Sequence, residues 1–226
     1  MTVLQTRGTV REVDKLVAQG IKVIWQENKG VAAARKVGIL ASQGENLFPL
    51  DADDRLRSGW IDPGSGILDS DPQVDVVYED AECFGIRTGR WHLSPFDPDR
   101  LLHANYIRCS ALYRRSVCEQ NDGYDGTMPV QGTEYSDFWL GTLENGWQFT
   151  YVPEILFDYR IAAQSMLTRL YGSGLTEQVE AFLATKHGLL YRHAWLSLLS
   201  EGQSARAVSR RLVALFASRV ERKSRK

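Results

Sequence analysis

The chain has 226 residues, 27 basic against 28 acidic, a formal net charge of −1 and 43% hydrophobic content. This is the composition of an ordinary globular domain with a real core, and the total charge points to neither a polyanionic nor an acidic partner. Cys83, Cys109 and Cys118 are odd in number and form no C-x-x-C pair, which argues for a reducing compartment and against a disulfide framework or a zinc knuckle. No apolar run approaches the roughly 18 to 20 residues that span a bilayer. The N-terminus, "MTVLQTRGTVREVD", has no apolar signal core, so a cytoplasmic location is expected.

"TVREVDKLVAQG" sets Val10, Val13, Leu16 and Val17 on one helical face, with Gly20 as a stop. "IKVIW" (Ile21 to Trp25) reads as a strand, "ENKG" as a turn, and "VAAARKVGILASQG" as an Ala-rich helix ending at Gly44. "NLFPL" is the next strand, so strand, helix and strand suggest a βαβ unit and a parallel sheet. A broken helical stretch runs from Trp60 to Leu68, interrupted by Pro63, Gly64 and Gly66. "VDVVY" is a strand, and "ECFGIRTGRW" a hairpin turning at Thr88-Gly89. "DPDRLLHAN" is a short helix with Asp97 or Asp99 near its start, and "YIRCSALYRR" a strand. "SDFWLGTLENG" is a helix with Ser136 as N-cap and Gly146 as stop. "WQFTYVPEILFDYR" gives two extended runs around Pro153, and from Ala163 the pattern is helical.

After Leu50 the chain places Asp51, Asp53 and Asp54 within four residues. In open α/β sheets, ligands sit at the carboxyl ends of the strands. Carboxylates this close raise one another's pKa unless a cation lies between them. Such oxygen-rich sites suit Mg²⁺ or Mn²⁺, which usually also hold substrate phosphates. A solvated acidic turn is the alternative, because D-x-D alone is a weak motif.

The run "NKGVAAARKVGILASQGENLFPLDADD", followed in order by "GYDGTM", "GTEYSDFWL", "ENGW", "VPEILFDYR" and Ser165-Met166, resembles the family 2 glycosyltransferases of GT-A fold. The resemblance covers residues ~9 to 166. It implies an α/β architecture: a Rossmann-like mixed sheet flanked by helices, in a partial GT-A domain (1–166) with a C-terminal helical extension (167–226). It also implies a nucleotide-diphosphate-sugar donor and metal-assisted, inverting transfer to a glycan or lipid-linked acceptor. By resemblance Asp53 would ligate the Mn²⁺ or Mg²⁺, and Asp51 would contact the ribose or the metal through water. Asp54 would hold the turn or orient the site, and Arg35 would contact the donor nucleotide or its phosphates. The family's Asn after that Arg is Lys36 here.

The family's catalytic base is the Asp of a Glu-Asp pair, and the matching pair here is Glu134-Tyr135. A neutral tyrosine with a pKa near ~10 is a poor base at neutral pH. The neighbouring carboxylates Glu134 and Asp137 are therefore the candidates, Glu134 first; the alternative role of Asp137 is to cap the helix N-terminus. Trp139 and Trp147 are core or sugar-stacking residues. The histidines offer no ligand pair, since His187 and His193 are six apart, and read as structural or exposed.

The family normally begins with a nucleotide-binding strand and a strand ending in Asp-Asp-Gly-Ser. Neither is matched, so the sheet is expected to lack its first strands, and the isolated chain to bind donor weakly or not at all. The segment from Glu201 to Lys226 holds eight basic and two acidic residues. It reads as a basic amphipathic helix, able to touch an anionic membrane surface or to pack on the domain. No RNA-reading motif accompanies it, so nucleic acid is not an expected partner. The competing functional reading is a catalytically impaired fragment that binds a sugar or a partner.

Overall fold

A computed structural model describes residues 7–103, 105–164 and 175–200. Eight helices and six strands are described: α1 (Arg7–Ala18), α2 (Val31–Leu40), β1 (Asn46–Leu47), β2 (Arg55–Leu56), α3 (Ile61–Ser70), β3 (Val76–Gly85), β4 (Gly89–Trp91), α4 (Pro98–His103), β5 (Leu112–Arg114), α5 (Arg115–Gln120), α6 (Glu134–Glu144), β6 (Phe149–Ile161), α7 (Thr176–Lys186) and α8 (Gly188–Ser200). The sheet order is β1-β5-β3-β6-β2, with β4 hairpinned onto β3. The β3–β6 pair is parallel and the other pairs are antiparallel, so the sheet is mixed.

Each face of the sheet carries its own core. On one face, α6 packs Phe138 and Trp139 against Val76, Tyr78, Ala111 and Tyr113. On the other, α3 buries Trp60 and Leu68 against Val74, Val77 and Leu112. Pro63 does not break α3, because it lies in the first turn, where a missing N–H leaves no bond unmade. Gly64 lies where α3 presses on β5, and a Cβ there would meet Leu112 Cδ2 at 2.8 Å. Two adjacent arginines fasten helix ends to the sheet. Arg114 donates to carbonyls of Leu68, Asp71 and Val74. Arg115 donates to those of Ile39 and Gly44, at the C-terminal end of α2.

Three expectations need correction. Residues 21–25 are not a strand: no neighbour offers them a ladder, and Ile21, Ile24 and Trp25 are exposed. The cap of α6 is Thr133, not Ser136, which lies within the helix. "WQFTYVPEILFDYR" forms one strand rather than two, because β6 absorbs Pro153 in a bulge. There it spends Val152 to Phe157 passing what β3 covers from Glu79 to Ala81. The short helix α5, directly after β5, was not foreseen.

β1 is an edge strand of the described sheet. Among the described residues no helix is long and apolar enough to cross a membrane. The proposed domain boundary and the basic segment 201–226 lie outside the described residues.

Candidate active site

The chain leaves β1 in extended form and turns sharply at the aspartates, with Asp54 N–H donating to Asp51 C=O at 3.1 Å. The three carboxylates then diverge. Asp51 accepts a charged hydrogen bond from Arg35 Nη2 at 2.8 Å, and Cys109 Sγ lies 3.4 Å from its other oxygen. Burial and the charge of Asp51 push the Cys109 thiol up to about 12, so it stays protonated and inert. Asp53 points outward and makes no hydrogen bond within the described residues. Asp54 accepts from the backbone N–H of Arg160 at 2.8 Å, tying the turn to β6. Burial raises Asp54 to about 6 against that hydrogen bond, with the charges of Asp53 and Asp51 adding to the rise.

Arg35 reaches Asp51 because α2 lies across the end of β1. Its guanidinium also sits 5.1 Å from the ring centre of Tyr124, whose hydroxyl meets that of Tyr113 at 3.1 Å. A groove of about 510 Å³ runs between α2 and the outer edge of β1, lined by Val31, Ile39, Phe48 and Leu50 and ending at Arg35 and Asp51.

Glu134 opens α6 and is buried, with Oε2 accepting from Gly132 N–H at 2.7 Å. Burial raises its pKa; the two backbone N–H groups and Arg35 oppose the rise, and Asp51 adds to it. Asp51, Arg35, Asp54 and Glu134 thus belong to one electrostatic neighbourhood. Asp137, one turn along, has other partners: Lys186 at 2.8 Å and His187 Nε2 at 3.0 Å. His187 Nδ1 meets Glu144 at 2.8 Å, and Lys186 also meets Asp125 at 2.7 Å. Asp137 therefore fastens the C-terminal helices to α6. Trp139 is fully buried and its indole N–H bonds Arg108 C=O, which makes it core.

Arg108 was missed by sequence reasoning. It is buried between the rings of Trp91 (5.3 Å) and Phe157 (5.0 Å). It donates to the carbonyl and carboxylate of Glu79, while its Nε and Nη1 find no partner among the described residues. An arginine inside "YIRCS" gives no periodic sign of burial, so only its three-dimensional neighbours reveal it.

Among the described residues, no three His, Cys, Asp or Glu side chains gather as a metal site. The donor set nevertheless fits a hard cation that brings its own ligands. Asp53 offers an uncommitted carboxylate and Asp51 a second one nearby, and Mg²⁺ typically takes one or two carboxylates together with substrate phosphates and waters.

The family model for glycosyl transferase family 2 matches residues 5–121. The chain belongs to that family. No curated protein sequence matches it. Among solved structures, this family 2 glycosyltransferase chain is similar to TarS of S. aureus, at 15% identity over 79% of this chain and 34% of that one, TM-score 0.57. A shorter TarS structure, residues 1–349 in complex with UDP-GlcNAc, gives 14% identity over 94% and 60%, TM-score 0.63. The same fragment with UDP gives 15% over 83% and 59%, TM-score 0.59. At such identities the likeness carries the GT-A fold alone, and the chain spans between a third and three fifths of the length of these three TarS chains.

Proposed function

We propose that this chain is part of an enzyme that moves a sugar from a nucleotide-diphosphate-sugar donor to a glycan or lipid-linked acceptor, with inversion at the anomeric carbon. The observation that carries this reading is the Arg35–Asp51 ion pair at the carboxyl end of β1, with Asp53 uncommitted two residues on. The donor nucleotide lies along the groove between α2 and β1, with Arg35 and Asp51 at its ribose and diphosphate end. Asp53, aided by Asp51, would hold Mg²⁺ or Mn²⁺. A cation bound there neutralises charge on the departing diphosphate. Asp54 keeps the turn closed through Arg160 N–H. Glu134 shapes the donor end beside Arg35, and Asp137 anchors α7. TarS, solved with UDP-GlcNAc, makes a uridine diphosphate sugar the first donor to try. The basic segment 201–226 is proposed to meet an anionic leaflet.

A second reading, a catalytically impaired module that binds a sugar or a partner, is favoured by Tyr135 at the family's base position and by the engagement of both neighbouring carboxylates. Calorimetry and donor hydrolysis with UDP-GlcNAc and Mn²⁺ separate the two. The transfer reading expects hydrolysis that chelation abolishes and that Asp53→Ala lowers about a hundredfold or more. Donor binding without turnover supports the second reading. Absence of both binding and turnover sinks the donor assignment for this chain.

A further inference from the structure

His92 stands one residue past β4, at the base of the β3–β4 hairpin, with its side chain 62% exposed. Its Nδ1 lies 2.7 Å from Oδ2 of Asp80, a buried carboxylate. Asp80 accepts two further hydrogen bonds through Oδ1, from Leu93 N–H and from the Tyr151 hydroxyl, each at 2.7 Å. Burial works against ionisation of Asp80, yet these three bonds hold its pKa below the ordinary carboxylate value. An ionised carboxylate can only accept. Nδ1–H therefore donates to Asp80, which leaves Nε2 as the ring nitrogen without a hydrogen-bond partner among the described residues. A buried acid, a ring it orients and an open ring nitrogen form the arrangement of a general base.

The sheet places this pair near the donor end. Leu47, Tyr113 and Val76 are partners across β1, β5 and β3. Past the ends of these ladders the same segments stay in contact: Cys109 Sγ lies 3.4 Å from Asp51 Oδ2, and Arg108 Nη2 donates to the backbone oxygen of Glu79, next to Asp80, at 2.6 Å. On β3, Val76, Tyr78 and Asp80 alternate onto the face covered by α6. Tyr151, which touches both Tyr78 and Asp80, fixes Asp80 on that face. Cys109 touches the donor-end Asp51, and its neighbour Arg108 holds the backbone of β3 one residue before Asp80.

We propose that His92, oriented by Asp80, takes the proton of the acceptor hydroxyl. The inference rests on the transfer reading above. The acceptor oxygen forms its bond to the anomeric carbon and its proton passes to Nε2. The bond from that carbon to the diphosphate oxygen breaks, and the electron pair leaves with the diphosphate. The alternatives on α6 are occupied: Glu134 is buried on Gly132 N–H, and Asp137 is held by Lys186 and His187.

The test uses the full 226-residue chain with UDP-GlcNAc and Mn²⁺, with water or glycerol as acceptor and, separately, azide, which has no proton to lose. His92→Gln is expected to keep wild-type donor affinity by calorimetry and to lose about a hundredfold in hydrolysis and glycerol transfer. It should retain the azide reaction. His92→Ala should regain hydrolysis when imidazole is added, and Asp80→Asn should move the acid limb of the pH–rate profile. Wild-type rates in His92→Gln overturn the inference. So does loss of hydrolysis with retained azide reaction in Glu134→Gln alone. A wild-type chain that binds no donor, or binds it without turnover in any arm, sinks the transfer reading for this chain and this inference together, whereas wild-type turnover that His92→Gln leaves unchanged overturns the inference only.

Discussion

Glu79 and Asp80 are adjacent on β3 and meet opposite environments. Burial lifts Glu79 to about 8, against the charge and hydrogen bond of Arg108. In the unfolded chain its proton leaves near the usual 4.5, while the folded chain keeps it until about 8, so folding stability should fall as pH rises across that window. Glu79→Gln is expected to flatten this slope, by on the order of a few kcal/mol between pH 5 and pH 8, as read from urea unfolding at the two pH values. Gly85 makes a sharper test. Its φ is 104°, and a Cβ would lie 2.5 Å from the backbone oxygen of Ile161. Gly85→Ala should cost about 3 kcal/mol in thermal unfolding, through strain plus a clash that no side chain can relieve. At this scale the sequence was uneven. Arg35 and Asp51 were legible because they sit in one ordered run. His92 looked isolated, because its partner lies twelve residues away across a hairpin.

The C-terminal helices are bound to α6 by a chain of charges from Asp125 through Lys186, Asp137 and His187 to Glu144. Burial opposes the charge on His187, but Asp137 and Glu144 outweigh it and hold the ring's pKa above 6.5. A raised histidine stabilises fully below its unfolded pKa and loses that contribution as pH climbs through the folded value. His187→Gln should therefore cost about 1–2 kcal/mol at pH 6 and distinctly less at pH 9, a difference that melting curves at the two pH values would reveal. Asp137 was visible as an acidic position, but its partners arrive some fifty residues later, where no local pattern could announce them. The hairpin at Thr88-Gly89 was legible because its signal is local. The strand at 21–25 was misread because apolar residues alone do not supply a ladder.

For the molecule as a whole, the exposed large hydrophobics are unevenly spread: Leu16, Val17, Ile21, Ile24, Trp25, Leu40 and Leu50 all fall in the first fifty residues. Uncovered apolar surface of this kind promotes association. The chain is expected to self-associate with rising concentration in sedimentation velocity. The double variant Trp25→Lys, Leu40→Lys should shift it toward monomer without lowering its melting temperature. The GT-A fold was legible as a whole because its landmarks come in a fixed order, whereas the site depends on contacts between landmarks, which order does not specify.

The bulge in β6 has a consequence for how the chain tolerates change. Its excess over β3 is three residues, an odd number, so Phe149 meets Trp139 on the α6 side while Phe157, eight residues later, meets Phe48 on the other. Losing one residue between Val152 and Phe157 would invert the parity of everything beyond. Phe157 would be turned out of its pocket, and Asp54 would be detached from the amide of Arg160. Length in this short stretch is thus as tightly constrained as residue identity is elsewhere, and paired losses should be tolerated better than single ones.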